Sequence, residues 1–198
     1  MRKLLIPLLL FAVATVNAIP EASAQELRRD ELLFSIAIPA DGIITDDEYM
    51  WNPDLYYNYE PRFQNTLFTA LWAVEYHHFF TDRFKVGASV NYHLLTSDYY
   101  HPVQDQVIGT RYSNIVYLLA HAKYCYIHKE KWQLYSGVGA GAILRLDTMK
   151  GTSASFKPGF GYEIVMLGVE YGKRVPVYLE AVGGNTAISY RFGFGYRF

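Results

Sequence analysis

His93, Ser97 and Asp98 fall within one short stretch of this chain. A serine hydrolase needs a serine hydroxyl, a histidine base and a carboxylate that orients the ring, and all three residue types are present there. Loose matches of this kind recur by chance in polar stretches, and polar rim residues account for it as well. The remaining histidines are His77, His78, His101, His121 and His128, and none opens an H-x-S motif. On a strand, His77 and His78 point to opposite faces, so a metal site there would need ligands converging from other strands. Asp41, Asp46, Asp47 and Glu48 form an acidic run. Calcium takes such oxygens, but the D-x-D-x-D-G spacing is missing, which favours a solvated acidic loop. Cys125 is the single cysteine, which excludes an intrachain disulfide framework and a cysteine-based metal cluster. It reads as inert packing. On these grounds no catalytic, cofactor-binding or metal-ligating residue is assigned, and the chain is read as non-enzymatic.

The elements that carry these residues show a period of two. Phe84, Val86, Ala88, Val90, Tyr92 and Leu94 share one face of an extended segment, and Lys85, Gly87, Ser89, Asn91 and His93 share the other. Phe68, Ala70, Trp72, Val74 and Tyr76 form an earlier apolar face, with His77 opposite. Val116, Leu118, Ala120, Ala122, Tyr124 and Tyr126 form a later one, opposite Tyr117, His121, Lys123 and Cys125. Trp132, Leu134, Val138, Ala140, Ala142 and Leu144 oppose Gln133, Tyr135 and a run of glycines. The last segment sorts Tyr190, Phe192, Phe194, Tyr196 and Phe198 onto one face. Such segments exceed the usual five or six residues of soluble strands. Greasy aromatic walls backed by charges and glycines are the pattern of a membrane barrel, whose outside meets lipid.

Bulk properties agree with that pattern. Aromatics make up 17% of the chain, with 18 Tyr and 12 Phe, and tyrosine suits a boundary that is wet on one side. The net charge of −1 gives no sign of a nucleic-acid partner. Met1-Arg2-Lys3, an uncharged run from Leu4 to Val16, and Ala22-Ser23-Ala24 read as a cleaved secretory signal over 1–24. That leaves one barrel domain over 25–198.

Eight strands are expected: Glu31–Ile38, Gln64–Phe79, Phe84–Thr96, Ser113–Ile127, Trp132–Leu146, Phe156–Tyr171, Val175–Val182 and Thr186–Phe198. Short turns near 81–83, 128–131 and 172–174 alternate with long loops at 39–63, 97–113 and 147–155, as in outer-membrane barrels. An even count places both termini on the short-turn side. The phase of 156–171 is ambiguous and suggests a bulge. Eight strands enclose a bore just wide enough to be filled by side chains, so no open pore is expected. Glu75, Glu163 and Glu180 are expected to pair inside with Lys85, Lys123, Arg145, Arg191 and Arg197, because an unpaired buried charge costs several kcal/mol. Tyr49, Trp51, Tyr56, Tyr57 and Tyr59 in the first long loop suit a lid over the barrel mouth or a surface for a partner or glycan.

Thr81-Asp82-Arg83-Phe84 at a tight turn, Leu167-Gly-Val-Glu-Tyr-Gly-Lys173 and the terminal Tyr190-Arg-Phe-Gly-Phe-Gly-Tyr-Arg-Phe198 resemble the small outer-membrane β-barrel proteins of Gram-negative bacteria. The flavour is that of the barrel-domain family common in Bacteroidetes, with a more distant similarity to the barrel of outer membrane protein A. The resemblance implies a monomer in the outer membrane, with lipid around it and the periplasm at its termini. It also implies that Tyr190, Phe192, Phe194, Tyr196 and Phe198 are read by the barrel assembly machinery. A structural or adhesive role follows, with unknown extracellular partners for loops 39–63 and 97–113. A lipid-A-modifying enzyme on the same fold, and a soluble lipocalin-like barrel of the periplasm, are the alternatives.

Overall fold

In the computed structural model, residues 29–39, 62–68, 70–101, 106–129, 131–186 and 189–198 are described. They form nine strands and, among the described residues, no helix: β1 (Asp30–Pro39), β2 (Arg62–Phe68), β3 (Leu71–Thr81), β4 (Phe84–His101), β5 (Gln106–His128), β6 (Trp132–Met149), β7 (Ser155–Tyr171), β8 (Val177–Gly184) and β9 (Ser189–Arg197). Consecutive strands from β3 onward pair antiparallel, and β1 closes the ring by pairing with both β3 and β9. Strand β2 continues the line of β3 along the same edge of β4. The nine strands are therefore eight staves, one of them interrupted, and the protein is an all-β, eight-stranded antiparallel barrel. The interruption falls inside the expected strand Gln64–Phe79.

Alternation dictates which way each stave faces. Trp72, Val74 and Tyr76 point outward on β3, as do Val90 and Tyr92 on β4, Tyr190, Phe192, Phe194 and Tyr196 on β9, and Phe198 just after it, while their odd neighbours are buried in the bore. Bulges reset this phase. In β7 both Met166 (58% exposed) and Leu167 (46%) face outward, because the register slips between Val165 and Leu167. Ser136 Oγ donates to the Met166 carbonyl there at 2.7 Å. One extra residue is thus absorbed, and Glu163 above the bulge and Glu170 below it both point inward. A similar slip between Cys125 and Ile127 turns Tyr126 and Ile127 outward together.

Tight turns close one end. Thr81 Oγ1 accepts from the amides of Arg83 and Phe84 at 3.2 and 3.0 Å. Gly172, between β7 and β8, has φ 127°, and a Cβ there would lie 2.6 Å from the Val175 carbonyl oxygen, so only glycine fits. Beyond it, Val175–Val182 was expected as a strand, yet regular pairing starts at Val177. Arg174 and Pro176 instead accept from the amides of Arg197 and Gly195 through their carbonyls.

The expected long loop 97–113 is corrected at the other end. Strand β4 runs on to His101 and β5 starts at Gln106, with paired residues from Ser97↔Arg111 to His101↔Gln106. Above Leu94 the outward positions become Thr96 and Asp98, so the apolar alternation fades while the backbone ladder continues. The loop expected at 39–63 lies outside the described residues except at its ends, as does the segment 1–24.

Candidate functional site: a charged bore beneath an apolar plug

The half of the bore nearest the short turns is built from charges. Arg191, on β9, lies among three carboxylates: Glu75 at 2.8 Å, Glu163 at 2.9 Å and Glu180 at 3.2 Å. Lys123 Nζ donates to Glu75 at 3.0 Å and to Glu180 at 2.7 Å. Nearer the turns, Lys85 and Arg197 each bridge Glu31 and Glu170. Arg197 Nη1 also donates to the Gly172 carbonyl at 3.2 Å. Glu180–Arg191 and Glu31–Arg197 are rungs between neighbouring staves, whereas Glu75, Glu163, Lys85 and Lys123 reach partners on staves that are not neighbours.

Space for the large side chains comes from glycines directly opposite them on the neighbouring staves. A Cβ on Gly168 would sit 2.3 Å from the Tyr135 ring, and one on Gly193 would sit 2.7 Å from the Tyr178 ring. Tyr135 lies flat enough to donate its hydroxyl to Glu180 at 2.7 Å while Lys85 Nζ stands 4.8 Å from its ring centre. His77 places Nδ1 3.4 Å from Glu31 and Nε2 3.6 Å from Glu75, between the two charge clusters.

The half nearer the long hairpin is different. Ala37, Leu71, Ala73, Leu95, Ile115, Tyr117 and Leu119 form one buried cluster inside the ring, with Ile143 packed on it. Above this plug Arg145 Nε donates to Asp147 at 2.7 Å, and Arg145 Nη2 to Ser113 Oγ at 3.3 Å. Arg145 was expected among the core pairs; the structure puts it at the mouth with a different carboxylate.

The residues singled out for chemistry are dispersed. His93 and Ser97 are buried on the inward face of β4, whereas Asp98 lies on the outward face and accepts from Thr110 Oγ1 at 3.3 Å. A carboxylate on the far side of the wall cannot orient the His93 ring. His77 faces the bore as expected. His78 faces outward, with Nδ1 2.8 Å from Asp30, to which Tyr76 also donates its hydroxyl. At that strand end the Tyr76 hydroxyl, with His78 beside it, holds the Asp30 carboxyl below its ordinary range. Cys125 is buried in the bore beside Gln133. Among the described residues no group of three or more His, Cys, Asp or Glu side chains is placed to hold a metal ion. Asp41, Asp46, Asp47, Glu48, Tyr49, Trp51, Tyr56, Tyr57 and Tyr59 lie outside the described residues.

One arrangement was not foreseen. Ser89 Oγ and His121 Nε2 are 2.7 Å apart, and His121 Nδ1 is 3.5 Å from Glu163. The order is that of a catalytic triad, but the last leg is too long for a hydrogen bond, and Glu163 is already engaged by Arg191. All three are buried, and a Cβ on Gly139 would strike the His121 ring at 2.7 Å. The cluster is therefore a packed strut. Its members stood on the inward faces of their segments, but the register that joins them was not readable from spacing.

No family model matches the chain, and no curated protein matches it in sequence. Several solved structures share its shape. The outer membrane protein OprG from Pseudomonas aeruginosa aligns with a TM-score of 0.51 at 14% identity, over 86% of this chain and 96% of that one. Ail, the attachment invasion locus protein of Yersinia pestis, solved with the heparin analogue sucrose octasulfate, gives 0.47 at 13% identity, over 86% and 97%. The N-terminal β-barrel domain of OprF from Pseudomonas aeruginosa gives 0.46 at 12% identity, over 86% and 98%. At such identities the likeness to OprG is one of fold.

Proposed function

We propose that this chain is an integral outer-membrane barrel of the Bacteroidetes type, exported through the signal at 1–24, with a structural or adhesive role and no catalytic activity of its own. The observation that carries this reading is the inverted polarity of the wall. Phe34, Trp72, Val90, Leu118, Val138, Ile164, Phe192 and Phe194 are exposed on the outside, while Glu31, Glu75, Lys85, Lys123, Glu180 and Arg191 are buried inside. In water that exterior is a large aggregation hazard; in lipid it is the expected surface, and a closed sheet satisfies every backbone group. A lipocalin-like soluble barrel needs the opposite arrangement. The lipid-A-modifying alternative lacks an assembled nucleophile, base and orienting carboxylate among the described residues.

On this reading Tyr76, Tyr92 and Trp132 lie at the two boundaries of the lipid belt, and Tyr190 to Phe198 serve both as lipid-facing wall and as the segment read by the assembly machinery. On this reading the bore, filled by side chains among the described residues, serves as no open pore. Contacts with extracellular partners fall to the segment 39–63 and to the tip of the β4–β5 hairpin. The test is electrophoretic heat-modifiability of the outer-membrane fraction. A folded barrel migrates differently before and after boiling; recovery of the mature protein in a soluble periplasmic extract would overturn the assignment.

A further inference from the structure

Each of the three short turns carries positive charge: Arg83 between β3 and β4, Lys129 and Lys131 between β5 and β6, Lys173 and Arg174 between β7 and β8, with Arg29 leading into β1 at the same end. Acidic side chains are fewer there. Asp30 is taken by Tyr76 and His78, which leaves Asp82 among the described residues and Glu130 in the sequence. The backbone that bears the cations is fixed. The carbonyls of Arg29, Arg83, Lys131 and Arg174 accept from the amides of Phe79, Cys125, Gly172 and Arg197 at 2.7, 2.7, 2.9 and 2.9 Å.

These cations stand just past an aromatic edge. Phe84, Trp132 and Tyr171 are exposed on the outer wall one or two residues from Arg83, Lys131 and Lys173, and the Trp132 and Tyr171 rings pack 4.7 Å apart. A strand rises about 3.3 Å per residue, and the headgroup layer on one side of a bilayer is about 5–7 Å thick. An aromatic edge at the hydrocarbon boundary therefore puts the turns among the phosphates. Arg174 shows the arrangement directly. Its Nε and Nη2 donate to the hydroxyl of outward-facing Tyr196 at 3.1 and 2.6 Å, so its charge leans on the outer wall and not into the bore. The cations also surround the ring. A protein partner would meet one side of the barrel, whereas a lipid leaflet meets all of it. Excess positive charge at that level favours a headgroup of net negative charge over a zwitterionic one. Resting on the membrane assignment above, we propose that the short-turn rim is a collar for anionic glycerophospholipid headgroups, with Arg174, held on Tyr196, as one of its phosphate contacts.

The test uses the full mature chain reconstituted in phosphatidylcholine bilayers, with trace spin-labelled phosphatidylglycerol or phosphatidylcholine read by electron paramagnetic resonance. The motionally restricted fraction of each label gives the preference of the wall for one headgroup over the other. The wild type is expected to favour phosphatidylglycerol about fivefold at low salt and to approach parity at about 1 M salt, where the screening length is about 3 Å. Arg83→Gln, Lys129→Gln, Lys131→Gln and Arg174→Gln together should bring the low-salt ratio near one. Lys150→Gln plus Lys157→Gln, exposed at the opposite end, should keep it. No preference in the wild type, a preference that salt does not weaken, or one lost by the Lys150 and Lys157 variant and kept by the rim variant overturns the proposal. The salt series on the wild type decides the matter even where the rim variant does not fold. Heat-modifiability reports the membrane fold separately: a wild type that shifts on boiling yet shows no headgroup preference removes the collar and leaves the barrel reading standing.

Discussion

The two halves of the bore solve one problem in different ways. Near the short turns the staves are joined by ion pairs, with Arg191 serving three carboxylates and Lys123 two. Near the long hairpin they are joined by Leu71, Leu95, Ile115 and Leu119 in van der Waals contact. An apolar plug tolerates any filling of about the right volume. A charged layer tolerates only the right partners, since every buried charge left over costs more than a cavity does. The first half therefore specifies which staves meet, and the second fills the space between them.

That contrast can be broken at several points, beginning with the largest effect. Arg191→Met leaves Glu163 without its cation and Glu75 and Glu180 sharing Lys123 alone, and should cost about 3–5 kcal/mol. Urea titration of the heat-modifiable form checks it, and adding Glu163→Gln should recover part of the loss; a midpoint within error of wild type would mean that the layer is not what holds the barrel. In the plug, Leu119→Ala should cost about 2–4 kcal/mol by the same titration, with no dependence on salt. A Cβ at Gly168 collides with the Tyr135 ring and displaces it from Glu180, so Gly168→Ala should cost about 1–3 kcal/mol despite adding only a methyl group. Ser89→Ala removes one leg of the Ser89–His121 strut and should cost about 0.5–1.5 kcal/mol while leaving any activity of the protein unaltered. The smallest effect belongs to Asn185. Its side-chain amide accepts from the Tyr162 amide at 2.7 Å and donates to the Phe160 carbonyl at 2.9 Å, standing in for the rung that β8 is too short to supply. Asn185→Ala should leave the global midpoint within about 1 kcal/mol and speed hydrogen exchange at the Tyr162 amide.

The same contrast explains what the sequence reveals. Within the apolar belt the outward faces of β3, β4, β5 and β9 follow from period two alone, because the wall there is apolar. The bore offers no such regularity. Leu95, Ile115 and Leu119 look misplaced on a polar face until they are seen to meet across the ring. Glu170 changes face only through the bulge at Met166–Leu167, so its pairing with Lys85 and Arg197 cannot be read from parity counted from Glu163. Glu31 shares the inward parity of Leu33 and Ser35, yet its partners stand on β4, two staves away, and on β9, which only ring closure brings near. The strand extensions beyond Thr96 were hidden for a related reason. Once a stave leaves the apolar belt its outward side chains are free to be polar, while the backbone ladder that continues carries no sequence mark.

Strands β1 and β9 bear on the order in which the molecule is made. They are the first and last staves, and Glu31 meets Arg197 across almost the whole chain. Until those two strands join, Glu31 has Lys85 and Glu170 has Arg197, but the bridges that link the two pairs, Arg197 to Glu31 and Lys85 to Glu170, are missing. Contacts so distant in sequence form slowly, since loop-closure entropy is lost before they return any energy. The final seam is thus also the step at which the two pairs merge into one quartet, and a barrel zipped in a shifted register would not join them. The quartet is thus complete only in the native register of the seam.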